Sequence, residues 1–306
     1  MPSAKEATAA RLAAGPRLTS WIMAARPRTL GLSMTPVAVG TALAWATDRK
    51  VHGLVVLAAL IGSVLIQVGT NLHNDALDSE RGGDRSDRLG PPRVTASGLL
   101  SATAVKRGAI MCFAGAALVG LYLVSVGGWP ILVLGLLSIA AGLAYTGGPL
   151  PIAYTPLGEV FVVAFFGVGA VCGTYWLNTG HLGVAAIGAS FLVGLPAGAV
   201  LMVNNHRDAE ADTRIGRRTL AVLVGPRITI WIYASLMLLP FAFLPLLNFA
   251  LPHGRVWPAL LALPPALLLV WRCAREPRGR GLNRILAYTV QTQVLFSLLL
   301  CAGLLS

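Results

Sequence analysis

Nine apolar stretches, each near the roughly 20 residues that carry a helix across a bilayer, constrain this chain's fold more than any motif. They lie near residues 29–47, 53–75, 107–126, 130–146, 158–178, 183–204, 228–250, 257–272 and 283–305. Inside hydrocarbon every backbone N–H and C=O needs a partner within the protein, and a helix supplies its own. The expected fold is all-α, a polytopic membrane bundle of about nine transmembrane helices. Charged residues make up 12% of the chain and the mean hydropathy is +0.72, which excludes disorder and an ordinary soluble domain. Residues 1–20 carry Lys5, Arg11 and Arg17 with no cleavage site behind a short apolar core, and read as a flexible cytoplasmic tail. Residues 21–306 show no internal boundary and are expected to form one transmembrane domain.

The net charge of +12 would suit a nucleic-acid partner, but its placement points to topology. With nine spans and a cytoplasmic N-terminus, 21 of the 24 Lys and Arg fall on one side; only Arg49, Lys50 and Arg255 fall on the other. That is the positive-inside pattern, expected of a bacterial inner (plasma) membrane protein whose basic face meets anionic lipid. Four scattered cysteines, Cys112, Cys172, Cys273 and Cys301, have no metal-ligand spacing and read as small buried hydrophobes.

The acids follow no topological rule. Eight of the twelve carboxylates sit in two clusters, Asn71 to Asp87 and Asn204 to Asp212, which close the second and sixth apolar stretches on the cytoplasmic side. Carboxylates at a bilayer's edge are costly unless they bind something positive. Each cluster is Asn-rich before it is Asp-rich and leads into a basic loop. This predicts a pseudo-repeat of four-helix units closed by a ninth helix. If the helices continue, Asn71, Asn74, Asp75 and Asp78 share one face, and Asn204, Asp208 and Asp212 share another. Gly82-Gly83 would then turn Asp84 back toward them. Like charges stacked one turn apart repel, so a cation is expected between them. Mg²⁺ suits an all-oxygen set and bridges carboxylates to phosphates; His73, His206 and the cysteines lack the spacing for zinc. The cationic candidates for a phosphate are Arg207, Arg217 and Arg28, set against membrane-interface anchoring for Arg28. A third cytoplasmic segment, Tyr145 to Pro151 followed by Leu157-Gly158-Glu159, has no Lys or Arg. Tyr145 could face an aromatic ring there, and Glu159 is an acid just inside an apolar span.

These residues resemble the UbiA superfamily of intramembrane prenyltransferases over roughly residues 20–305. The resemblance rests on Asn74-Asp75-x-x-Asp78-x-x-x-Gly82-x-Asp84, Asp87-Arg88-Leu-Gly90-Pro91, Tyr145-Thr-Gly-Gly-Pro149 and Leu157-Gly-Glu159. It continues in Asn204-Asn205-x-Arg207-Asp208-x-x-x-Asp212 and in Gly216 to Val222. Its nearest branch acts on 1,4-dihydroxy-2-naphthoate in menaquinone synthesis. Glu159 stands where Asp is expected as often, and keeps the charge. The resemblance implies Mg²⁺ held by Asn74, Asp78, Asp208 and Asp212, with Asp75 and Asp84 as further ligands or as partners that support those ligands. It implies a polyprenyl diphosphate bound with help from Asn71, Asn204, Asn205, Arg28, Arg207 and Arg217. The allylic cation would be attacked by the naphthoate ring with loss of CO₂, giving demethylmenaquinone, itself a membrane lipid. Tyr145 and Glu159 are expected on the acceptor side. Another aromatic acceptor, such as 4-hydroxybenzoate or homogentisate, stays open. A cation transporter fits less well, because no acid continues a path through the centre of a span.

Overall fold

A computed structural model describes residues 18–81, 89–251 and 255–306, all helical or connecting, with no strand among them. The short α1 (Leu18–Ala25) leads into α2 (Pro27–Asp48), α3 (Gly53–Glu80), α4 (Ala102–Gly127) and α5 (Trp129–Ala144). The second half runs through α6 (Gly158–Thr179), α7 (Val184–Arg214), α8 (Leu220–Phe249), α9 (Trp257–Arg275) and α10 (Leu282–Leu305). Each of the nine apolar stretches is one of α2 to α10, as expected. Eight are long and apolar enough to cross a membrane, and α5, with 16 residues, is shorter. The protein is an integral membrane protein. Helix α1 was not foreseen: it begins inside the stretch read as tail, whose residues 1–17 lie outside the described residues.

The helices form because their residues are apolar on every side, and the bundle sorts them by size and polarity. Large side chains such as Ile110, Leu118, Trp231 and Leu246 face outward, where lipid would meet them. Inside, small residues let backbones approach. Where α6 crosses α7, a Cβ on Gly167 would meet Ser190 O at 2.5 Å and Gly194 Cα at 2.8 Å, so only glycine fits. Across this crossing α6 is wound as a π-helix over Val163–Cys172. Interior polar side chains pair with one another: Gln293 Nε2 donates to Thr35 Oγ1 at 3.0 Å, and the Tyr233 and Thr289 hydroxyls lie 2.9 Å apart.

The most extensive packing joins α3 to α4 and α7 to α8, matched positions of the two expected halves. Helix α10 closes the bundle against α2, α7 and the start of α9. Helix α7 runs through the middle and contributes the largest share of the buried residues. Because α3 and α7 are even-numbered spans pointing the same way, their C-terminal ends emerge together. Both continue past their apolar runs, to Glu80 and Arg214, and carry the acids with them.

Candidate active site

At the end of α3 the four expected side chains are buried on one side of the helix and tie it to other parts of the chain. Asn71 Nδ2 donates to Ala25 O at 3.0 Å and fastens the α1–α2 turn. Asn74 Oδ1 accepts from the Thr146 hydroxyl. Asp75 Oδ1 accepts from Thr95 N at 3.0 Å and from the Thr95 hydroxyl, so it organises the loop before α4. Asp78 alone receives charge. Arg93 Nη2 donates to its Oδ2 and Arg217 Nη2 to its Oδ1, both at 2.6 Å.

At the end of α7 the second set is arranged around Arg207, which is almost wholly buried. Its Nε donates to Asp208 Oδ1 at 2.8 Å and its Nη2 to Oδ2 at 2.5 Å, a bidentate pair. The same guanidinium reaches Asn204 Oδ1 at 2.8 Å and Asn283 Oδ1 on α10 at 2.7 Å. Asn283 in turn donates to Leu89 O at 2.8 Å, so α10 ties the two halves together. Asn205 Nδ2 donates to Glu159 Oε1 at 2.8 Å. Glu159 Oε2 is buried without a hydrogen-bond partner.

One residue joins the clusters. Gly216 takes φ 76°, a left-handed turn that glycine adopts without strain, and reverses the chain after α7. Arg217 N then donates to Asp212 O at 2.9 Å, and the side chain folds back between the helix ends. Its Nη1 lies 3.6 Å from Asp212 Oδ1 while its Nη2 holds Asp78. The guanidinium also stacks on Tyr154, 4.5 Å from the ring centre. Burial by itself would lower the pKa of Arg217, but Asp78, the Tyr154 hydrogen bond and Asp212 outweigh it and raise it, so Arg217 stays charged.

The third segment joins the same site. Arg81 donates to Thr146 O, and to Gly148 O at 3.3 Å, pinning the Tyr145 to Pro149 turn to the end of α3. Burial first, then the negative charges of Glu159 and Asp78, push the Tyr145 phenol's pKa upward, while Arg217 and Arg26 pull the other way. Tyr145 thus stays a neutral hydroxyl. Arg28 is exposed at the start of α2 and makes no ion pair among the described residues. Asp84 and the Gly82-Gly83 turn lie outside the described residues. Among the described residues no three His, Cys, Asp or Glu side chains alone gather closely enough to hold a metal ion.

Several residues of this site went unselected in the sequence. Arg93 was visible only as one of several arginines in a basic loop. Thr95, Tyr154 and Asn283 carried no motif and no periodicity, and Thr146 stood inside the Tyr145 to Pro149 motif without a role assigned to it. Arg26 was passed over for its neighbour Arg28. Tyr154 alone offered a signal, an aromatic residue in a Gly- and Pro-rich cytoplasmic loop.

Comparison with known proteins agrees with this architecture. The UbiA prenyltransferase family matches residues 33–299. The chain is 36% identical to 1,4-dihydroxy-2-naphthoate octaprenyltransferase of Escherichia coli, over 94% of this chain and 96% of that protein. It is 35% identical to the Haemophilus influenzae protein of the same name, over the same shares of each. In fold it is similar to a solved UbiA homolog from Archaeoglobus fulgidus bound to GPP and Mg²⁺, with a TM-score of 0.62 and 16% identity, covering 93% of this chain and 99% of that one.

Proposed function

The chain belongs to the UbiA prenyltransferase family, and from that premise we propose that it transfers a polyprenyl group from a polyprenyl diphosphate to 1,4-dihydroxy-2-naphthoate, releasing CO₂ and pyrophosphate. Relatives named for that reaction align with nearly its whole length. The observation that carries the chemistry is Arg217 suspended between Asp78 and Asp212, one from each half of the bundle. Two carboxylates that share one guanidinium face a gap that one cation spans.

Mg²⁺ fits this gap by donor chemistry. The electron-pair donors beside it, on Asp78 and Asp212, are oxygens, and Mg²⁺ keeps waters and substrate phosphates, so it needs fewer protein ligands than the three-residue cluster the described residues lack. Asp78 and Asp212 would hold it, with Asp208 and Asn74 on the same helix ends and Asp75 fixing the loop that carries Arg93. When bound, the metal supplies Lewis-acid stabilisation of the leaving pyrophosphate. Arg207 and Arg93, buried, and Arg217, partly buried, are already positioned and neutralise the same developing charge without reorganising. The breaking bond is the allylic C–O bond, whose electrons leave with pyrophosphate. The new C–C bond forms at the ring carbon that bears the carboxylate. CO₂ departs there in place of a proton, so rearomatisation needs no base. Glu159 Oε2, buried and unpartnered, instead orients the acceptor by taking a hydrogen bond from its hydroxyl. No outside electron acceptor takes part, so the product leaves as the hydroquinone, demethylmenaquinol, two electrons below demethylmenaquinone. The setting is the bacterial inner membrane with site and N-terminus toward the cytoplasm, supported by the skew of Lys and Arg.

The test is turnover by the purified protein with labelled prenyl diphosphate, Mg²⁺ and a choice of acceptors. Prenylation of the dihydroxynaphthoate, abolished by chelation, is expected. Prenylation of 4-hydroxybenzoate with the dihydroxynaphthoate untouched overturns the acceptor assignment.

A further inference from the structure

The loop between α5 and α6 brings no charge to a site dense in charge: residues 145–157 hold no Lys, Arg, Asp or Glu. What it brings is Tyr154, the last residue of a single 3₁₀ turn over Ile152–Tyr154. Three backbone hydrogen bonds fasten that turn. Ala153 N donates to Tyr145 O at 2.9 Å, Tyr154 N to Pro151 O at 2.9 Å, and Arg218 N to Tyr154 O at 3.0 Å. The last of these ties Tyr154 to the residue after Arg217, so ring and guanidinium are set by adjoining backbone.

The ring stands by cations from both halves of the bundle. Arg217 Cζ lies 4.5 Å from its centre and Arg81 Cζ 5.7 Å, both within cation–π range. Arg81 follows α3 and donates to Thr146 O and Gly148 O, so the same loop fixes it too. Arg217 Nη2 also donates to the Tyr154 hydroxyl at 3.3 Å. The pull of a ring face on a guanidinium uses none of its N–H donors. Arg217 has a donor to spare, since its Nε is buried without a hydrogen-bond partner. Asp78 and Asp212 also hold this guanidinium, but a carboxylate that turns to a cation gives up part of its hold. The ring does not.

We infer that Tyr154 is a positioning residue for the diphosphate: its ring holds Arg217 at the junction of the two halves, with Nε–H open to a phosphate oxygen. This rests on the reaction proposed above. Tyr154 touches the arginine and acts through it. The aromatic face carries the effect, because the hydroxyl adds only one long hydrogen bond. A second stack serves as the control. Arg275 Cζ lies 4.2 Å from the centre of the Trp271 ring, on an exposed end of α9 away from the acid clusters.

The experiment compares Tyr154→Leu, Tyr154→Phe and Trp271→Leu with the unmodified protein in detergent. It reads the Kd for inorganic pyrophosphate without metal, and the kcat and both KM values of the prenyl transfer. Tyr154→Leu should weaken pyrophosphate binding and lower kcat, each roughly tenfold, the scale of one partly desolvated cation–π contact. Its KM for the dihydroxynaphthoate should stay within about twofold. Tyr154→Phe keeps the ring and should stay within about threefold of the unmodified protein on every reading, the scale of one neutral hydrogen bond. Trp271→Leu should change none of them. In an Arg217→Gln background, Tyr154→Leu should weaken pyrophosphate binding no further, a non-additivity that general loosening would not give. Tyr154→Phe as impaired as Tyr154→Leu would assign the effect to the hydroxyl and overturn the inference. So would a lowered Tm in Tyr154→Leu with pyrophosphate Kd and kcat unchanged, or a raised acceptor KM with that Kd unchanged. Unmodified protein that binds pyrophosphate but leaves the dihydroxynaphthoate untouched would instead overturn the acceptor assignment, and the Kd series would still decide the role of Tyr154.

Discussion

At the end of α3, Asp78 lies between two arginines brought from elsewhere in the chain, whereas at the end of α7 Asp208 is paired with its own sequence neighbour. The Asp78 side chain is 6% exposed and that of Asp208 is 21% exposed. The two motifs look alike in sequence, yet one is a tertiary junction and the other a self-contained clamp. A carboxylate holding distant segments together contributes to the fold as well as to the chemistry. One that is matched locally is freer to exchange its partner for a substrate or metal. The first cluster should therefore couple stability to turnover, and the second should separate them.

Asp78→Asn tests that coupling most severely. It removes the anion that Arg93 and Arg217 share, a loss of about 3–5 kcal/mol when a buried pair is broken. It also removes a proposed metal ligand, so turnover should fall at least about 10³-fold, the upper scale for losing one preorganised stabilising group. Both effects should appear, as a lower Tm in detergent and as lost product in the prenyl-transfer assay. Asp208→Asn should cost turnover about 10²-fold. Its stability loss should be only about 1–2 kcal/mol, because Arg207 keeps the Asn204 and Asn283 oxygens. Equal losses of Tm in the two variants would erase the distinction.

How much of this asymmetry the sequence exposes depends on the range of the interaction. The nine spans were legible because a bilayer imposes one length and one composition on every helix. The shared faces of Asn74 with Asp78 and of Asn204 with Asp208 were legible because helical geometry fixes neighbours three and four residues apart. Arg207 and Arg217 stood out as cations beside acids. The partners of Asp75, Asn74 and Arg207, which are Thr95, Thr146 and Asn283, were not legible. They lie 20, 72 and 76 residues from them, on loops or another helix, and only packing decides which hydroxyl or amide meets which acid. Helix α1 was hidden for a different reason, since eight residues are too few to show a period above a basic, Ala-rich tail.

Thr95→Val sharpens the comparison on the structural side of the first cluster. It removes the hydroxyl that donates to Asp75 but leaves the backbone N–H in place. A stability loss of about 1–2 kcal/mol is expected from the under-satisfied buried carboxylate. Turnover should drop less than about tenfold, because Arg93 is carried by the same loop but still has Asp78 to hold it. A loss of turnover as large as that of Asp78→Asn would place Asp75 itself on the reacting groups.

The smallest effect should come from the turn that joins the clusters. Gly216→Ala puts a Cβ on a residue at φ 76°, where no neighbour stands within 4 Å, so the penalty is conformational rather than steric. That penalty is about 1 kcal/mol. The chain can avoid it by relaxing the turn, and relaxation moves Arg217, whose N–H is bound to Asp212 O and whose guanidinium spans Asp212 and Asp78. A displaced but still charged arginine weakens transition-state stabilisation without abolishing it. The expected result is a several-fold drop in kcat, a fall in Tm of no more than a few degrees, and an unchanged KM for the dihydroxynaphthoate. Arg217→Lys should lower kcat further, since an ammonium cannot hold both carboxylates with one planar fork. If Gly216→Ala left kcat untouched while Arg217→Lys lowered it, the turn would have slack, and the reach of Arg217 alone would join the two halves of the site.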